Sequence, residues 1–154
     1  MKYIDKPVHD MFLTDDTPNQ VVVVCNPIGM WGPMDSPLAD HIKTFFPQFI
    51  DLCSIACEDE FQGLGDAFLC TVRHSALCVA FCTVKSRCSV DFTAVAAAFK
   101  SIALKALKEN YSYVIRIPVG FGSSSPEDYK DIEAIAKEAF AAPNFTIEFW
   151  NLED

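Results

Sequence analysis

The sequence predicts an α/β fold in which helices cover both faces of a central sheet that is mixed but mostly parallel. Three observations carry this. Strand-like apolar runs alternate with helical patterns, the connections between them are short, and two of the runs are apolar almost throughout. A strand covered on both faces reads as a continuous apolar run, whereas a strand with one wet face alternates. Strands alternating with helices place the helices in layers on either side of the sheet, a three-layer α/β/α arrangement. The length of 154 residues predicts a single domain over 1–154, and 51% hydrophobic with 21% charged residues is an ordinary globular composition.

The elements follow in order. Val8-His9-Asp10-Met11-Phe12 reads as a short opening strand, followed by a polar turn over 14–20. Val21-Val22-Val23-Val24-Cys25 is continuous and β-branched, as a central parallel strand should be. Residues 26–37 carry three prolines and two glycines and read as a loop, with a helix over 38–46 that Pro47 ends. Two adjacent strands are expected over 67–72 and 77–84, the second internal. Asp91 then caps a long helix on which Phe92, Val95, Phe99, Ile102 and Ala106 recur at helical spacing. A strand over 113–119, a helix over 126–141 and a strand over 145–150 complete the series.

Charge and cysteines narrow the function classes. Twelve Lys+Arg against 21 Asp+Glu give a net charge of −9, so no basic patch for a nucleic-acid backbone is expected. Docking on an anionic membrane is disfavoured for the same reason. No run approaches the ~20 apolar residues that span a bilayer, and the opening Met1-Lys2-Tyr3-Ile4-Asp5-Lys6-Pro7 resembles no signal peptide. A cytoplasmic, reducing setting is the expectation, with the seven cysteines acting mainly as small core residues. Cys53/Cys57 and Cys78/Cys82 lie four apart without forming a CxxC, and no histidine stands at zinc-ligand spacing. Neither a metal nor a cofactor is expected.

Function is sought beyond the carboxyl ends of the strands, where open α/β sheets bind ligands. Pro118-Val119-Gly120-Phe121-Gly122-Ser123-Ser124-Ser125 joins a buried strand to a helix start. Its glycines permit positive φ, and successive N–H groups there can form an anion-binding nest at the positive end of the helix dipole. Ser125 fits the N-cap, Pro126 the first helical position and Asp128 a capping-box-like spacing, so the serines either cap the helix alone or also cradle an anion. The loop is neither a Walker A sequence nor a dinucleotide fingerprint. Asn26-Pro27-Ile28-Gly29-Met30-Trp31-Gly32 is a second glycine-bearing segment at a strand end, and Asn26 offers an amide to a sugar hydroxyl. Lys85, at the end of Phe81-Cys82-Thr83-Val84, is either a solvated charge or an anion anchor and amine nucleophile toward an anomeric carbon.

Taken in this order the segments resemble a macro domain, the ADP-ribose-binding α/β module, over nearly the whole chain. Val8-His9-Asp10-Met11-Phe12 resembles that family's Gly-Asp-Ile opening, with His9 in place of the glycine. The resemblance implies that Asp10 takes the adenine amino group and that Met11 lends a backbone N–H. It assigns the segment with Asn26, Gly29 and Gly32 to one phosphate/ribose loop, and Gly120, Phe121, Gly122, Ser123, Ser124 and Ser125 to the other. Trp150, in Phe149-Trp150-Asn151-Leu152, would stack near the adenine.

Within the family the chain is most similar to the branch of terminal ADP-ribose glycohydrolases and the antitoxin that removes ADP-ribose from DNA. The matching feature is Thr83-Val84-Lys85 before a long helix, which makes Lys85 the implied catalytic lysine. The first loop departs from the usual Gly-Val-Met-Gly-Lys-Gly-Ile-Ala and reads Gly29-Met30-Trp31-Gly32-Pro33-Met34-Asp35. An acidic residue usual just beyond the second glycine loop is replaced by Ser123-Ser124-Ser125, leaving Asp35 or Asp128 to substitute. The implied partner is ADP-ribose or an ADP-ribosylated target, either a protein or a nucleic-acid end. Three activities stay open: hydrolysis of an ADP-ribosyl linkage through Lys85, non-catalytic reading or sequestration of ADP-ribose or a related nucleotide signal, and removal of the phosphate from ADP-ribose 1″-phosphate with Asp35 as the acid.

Overall fold

The computed structural model describes residues 1–15, 17–32, 36–58, 63–72, 75–86, 89–106 and 111–152. The strands are β1 (Lys2–Ile4), β2 (Gln20–Gly29), β3 (Ala67–Thr71), β4 (Leu77–Lys85), β5 (Ser112–Pro118) and β6 (Phe145–Trp150). The helices are α1 (Pro37–Phe45), α2 (Pro47–Glu58), α3 (Phe92–Ala106) and α4 (Tyr129–Ala139), with 3-10 turns at Val8–Phe12 and Pro126–Asp128. The sheet order is β1-β6-β5-β2-β4-β3, and every neighbouring pair is parallel except β3–β4. A mixed, mostly parallel sheet between two helix layers is the architecture predicted.

The alternation of side chains along a strand explains why β2 and β4 are apolar without interruption. Val23 and Cys25, with Ala80 and Cys82, face a cluster completed by Val95, Phe99 and Ile102 of α3 and Ile132 and Ala136 of α4. Val22, Val24 and Ile28, with Val79 and Phe81, face a second cluster built on Leu38, Ile42, Phe49 and Cys53 of α1 and α2. Each strand therefore supplies both cores, and a polar residue on either face would be buried. Cys25, Cys53, Cys70, Cys78 and Cys82 are buried in the core, and burial pushes the thiol of Cys70 up to about 11 and that of Cys78 up to about 12. Asp91 caps α3 as expected, its Oδ1 accepting from Ala94 N at 3.0 Å.

Four local expectations are corrected. Val8–Phe12 is a 3-10 turn and the opening strand is β1, because Asp10 N donates to Pro7 O at 3.0 Å and Leu13 N to Asp10 O at 3.2 Å, closing local turns instead of a ladder. β2 runs on through Asn26 and Pro27 to Gly29 where a loop was expected. Its pairing with β5 ends at Val24–Arg116, whereas β4 accompanies it to the end, so Pro27 sits where one neighbour has already parted. Pro47 begins α2 as well as following α1, occupying the first helical position, where its missing N–H has no partner to lose. Ser125 makes no side-chain cap bond; the hydroxyl that organises the turn is that of Ser123. Among the described residues no helix is long and apolar enough to cross a membrane.

Candidate functional site

The parting of β2 from β5 opens a cavity of about 660 Å3 at the carboxyl ends of the parallel strands. Pro27, Lys85, Pro118, Val119 and Trp150 line it from the strand ends and Gly122 and Tyr129 from the glycine–serine side. Trp31, Ser36, Pro37 and Leu38 close another side, and Asn151 and Leu152 a third. Such a volume lies within the roughly 300–1,000 Å3 of small-molecule sites. Among the described residues lining the cavity, Lys85 is the one charged side chain.

The loop after β5 is built from three successive positive φ values: 84° at Gly120, 43° at Phe121 and 90° at Gly122. A β-carbon at Gly120 would lie 2.7 Å from Tyr129 Cε1 and 3.0 Å from Ser123 O, so only glycine fits. Phe121 tolerates its left-handed conformation because its ring is fully buried, with its centroid 5.0 Å from that of Phe99. Phe121 N donates to Pro118 O at 3.0 Å and Ser123 N to Gly120 O at 2.9 Å. Ser123 Oγ donates to Asp128 Oδ2 at 2.7 Å and accepts from Ser125 N at 3.1 Å. Among the described residues the N–H groups of Gly122 and Ser124 have no acceptor, so the loop keeps free donors at a cavity bordered by the first residue of α4.

Lys85 is placed by an irregularity in the sheet. Ile28 pairs with Thr83 but Gly29 pairs with Lys85, so Val84 is an extra residue in β4. Such a bulge re-aims the side chain that follows it. Gly29 and Gly32 exchange backbone hydrogen bonds at 3.1 Å each, closing a two-residue turn over Met30 and Trp31. Met30 N donates to Lys85 O at 2.9 Å, which fastens this turn to the end of β4. Trp31 is 58% exposed while its indole borders the cavity.

Asn26 lies between Val24 and Ile28 on the strand face that meets α1. It is fully buried, and among the described residues neither its Nδ2 nor its Oδ1 has a hydrogen-bond partner. A buried polar group left unpaired costs roughly 1–3 kcal/mol, so this amide is held at a cost to stability.

The other predicted residues are distributed unevenly. Lys85, Gly122 and Trp150 meet in the large cavity, and Gly29 and Gly32 act through the turn that presents Trp31. Phe121 and Met11 are fully buried, so only their backbone groups are candidates for contact. Ser123 is engaged with Asp128, while Ser124 is exposed and Ser125 half-buried. Asp10 and Trp150 both border a second concavity of about 400 Å3, so Trp150 belongs to the walls of both spaces. Trp150 is 3% exposed, with the Arg116 guanidinium carbon 5.2 Å from its ring centroid and its Nε1 donating to Glu148 Oε1 at 3.1 Å. Asp35 lies outside the described residues. Tyr129 and Trp31 escaped the sequence reasoning: Tyr129 fitted the apolar face of α4, and Trp31 stood in an apparent loop. The signals were an aromatic in the first helical turn after a two-glycine loop, and a Gly-x-x-Gly spacing that closes a tight turn.

No protein-family model matches the sequence, and no curated protein matches it. Solved structures do. The macrodomain of Thermus aquaticus DarG superposes with a TM-score of 0.73 at 17% identity, over 99% of this chain and 97% of that one. A macrodomain protein from Streptomyces coelicolor gives 0.76 at 13% identity, over 99% of both chains. Thermosipho africanus DarTG in complex with ADP-ribose gives 0.67 at 14% identity, over 88% of this chain and 42% of that longer one. The fold is that of the macrodomains, among them DarG-like ones.

Proposed function

We propose that the protein binds ADP-ribose, free or attached to a target, in the 660 Å3 cavity. The observation that carries this is the meeting, in one cavity, of Lys85 with the glycine–serine loop, whose Gly122 and Ser124 N–H groups have no acceptor among the described residues. In a chain of net charge −9, a dianion is then held by local dipoles and one cation rather than by long-range attraction. The likeness to a macrodomain protein described in complex with ADP-ribose supports the choice of ligand. The diphosphate lies along the loop over 120–125, the distal ribose toward Lys85 and Trp31, and the adenine toward Trp150 and Asp10.

Hydrolysis of an ADP-ribosyl linkage runs through Lys85 as the neutral amine. Its nitrogen bonds to the anomeric carbon as the bond to the linkage oxygen breaks, and the proton shed by the amine passes to that oxygen. Water then adds to the same carbon and frees the amine. One observation favours a second reading, a binder without turnover. Among the described residues lining the cavity there is no carboxylate, and Asp128, the nearest candidate acid in sequence, is hydrogen-bonded to Ser123. Loss of a general acid or base costs typically about 10²–10⁴-fold.

Calorimetric titration of ADP-ribose into the protein, with AMP and NAD as controls, tests the binding proposal. Micromolar binding selective for ADP-ribose is expected, and ligand at about 100 times its Kd should add about 2.7 kcal/mol of stability. Absence of both heat and thermal shift at millimolar ligand overturns it.

A further inference from the structure

Arg116 stands on β5 directly opposite Glu148 on β6, away from the large cavity. Its side chain is 14% exposed and that of Glu148 13%, and Arg116 Nε donates to Glu148 Oε1 at 3.0 Å. Enclosing such a pair is expensive unless the remaining donors are also used. Those of Nη1 are used on the 3-10 turn and its exit: Nη1 donates to Met11 O at 2.9 Å and Leu13 O at 2.7 Å, and reaches Asp10 O at 3.4 Å. The same pair holds the facing wall. Glu148 Oε1 also accepts from Trp150 Nε1, and the guanidinium lies over the indole. One ion pair thus sets the backbone that carries Asp10 and the ring of Trp150 against each other.

We infer that Arg116 is a positioning residue for base selectivity: it fixes the Asp10 segment relative to Trp150, so that a ligand's base meets a carboxylate at a set place. This rests on the proposed binding of ADP-ribose with its adenine toward Asp10. The chemistry to be read is the exocyclic amine. Adenine donates from its 6-amino group to a carboxylate, whereas hypoxanthine offers a 6-oxo acceptor that a carboxylate repels. The Asp10 carboxylate itself lies against His9, whose Nε2 is 3.0 Å from its Oδ1, and Arg116 fixes the backbone of the turn that carries both. Lysine in place of Arg116 would keep the charge but lose the fork that reaches Glu148 and the carbonyls together.

The test measures Kd for ADP-ribose and for its hypoxanthine counterpart on wild type, Arg116→Met and Arg116→Lys. Wild type should prefer the adenine ligand by about tenfold or more, the worth of a hydrogen bond to a charged group. In both variants the ratio should collapse toward one. Hydrogen exchange on the ligand-free protein supplies a second measurement should Arg116→Met fail to fold. In Arg116→Lys the amides of Asp10 and Leu13 should exchange faster, while those of β2 stay protected. An unchanged ratio in a folded variant, or unchanged exchange at Asp10 and Leu13, overturns the inference and leaves ADP-ribose binding intact. A wild-type ratio near one also overturns it. No binding of ADP-ribose by the wild type overturns the proposed function, and the inference with it.

Discussion

The indole of Trp31 lies so close over Gly29 that a β-carbon on Gly29 would stand 2.5 Å from its Cε2 and Cζ2. A side chain on Gly29 would therefore have to displace the tryptophan above it. Gly29→Ala should push the indole off the turn and open this side of the cavity. Because Trp150 is buried and Trp31 exposed, fluorescence of the variant in a Trp150→Phe background reports Trp31 alone. A shift of its emission together with about tenfold weaker ADP-ribose binding is expected, and an unchanged spectrum would refute the contact.

Gly120 makes a parallel case on the other side of the cavity. Gly120→Ala places a methyl group against Tyr129 and Ser123 O at a φ of 84°. Denaturant unfolding should show a loss of about 1–3 kcal/mol, the cost of a side chain in a sparsely populated backbone region. Gly65, also at positive φ, has its closest neighbour at 3.2 Å, the Ala97 methyl, and Gly65→Ala serves as the comparison for backbone strain with less crowding.

Lys85→Ala separates turnover from binding. With Lys85 as the nucleophile, release of ADP-ribose from modified protein or DNA should fall below about 1% of wild type. Affinity should weaken by less than about tenfold, since a half-exposed cation contributes little through charge alone. Equal binding by both proteins, with no release by either, would identify a reader.

The stability of α1 should depend on pH through His41. Its ring lies between Phe12 and Phe45, with centroids 4.5 Å from each. Burial, and then the charge of His9, lowers His41 below its ordinary value of 6.5. The folded protein thus disfavours the protonated ring that the unfolded chain accepts. The stability is complete above the unfolded value and is lost as pH falls through the lower folded one. Thermal unfolding should show a lower Tm at about pH 5.5 than at about 7.5, with a smaller difference in His41→Gln.

What could be read from the sequence divides along a physical line. The double-sided apolar pattern of β2 and β4, the Asp91 cap of α3 and the span of β6 are local signals, and each appears in the structure. Pro27 and Pro47 misled because proline's effect depends on neighbours: the loss of β5 beside β2 admits the first, and a fresh helix start admits the second. Val8–Phe12 looked like a strand because its composition suits one, and no local signal showed that β1 already pairs with β6. In the candidate site, glycines announced the loops. Arg116 meets Glu148 across two strands and carbonyl partners more than a hundred residues away in sequence, so no spacing rule could bring them together.

That separation bears on how the molecule is made. Among the described residues β1 pairs with β6 alone, Lys2 against Glu148, and Asn151 N donates to Ile4 O at 2.8 Å. β1 must therefore wait for a segment that follows it by more than a hundred residues before it can enter the sheet, and the turn bearing Asp10 waits with it for Arg116 and Glu148. The pairing of β2 with β4 and the packing of α3 on β4 need neither. A nascent chain can form these contacts and still lack the wall proposed to meet the base, so ligand binding would report a later step of folding than collapse.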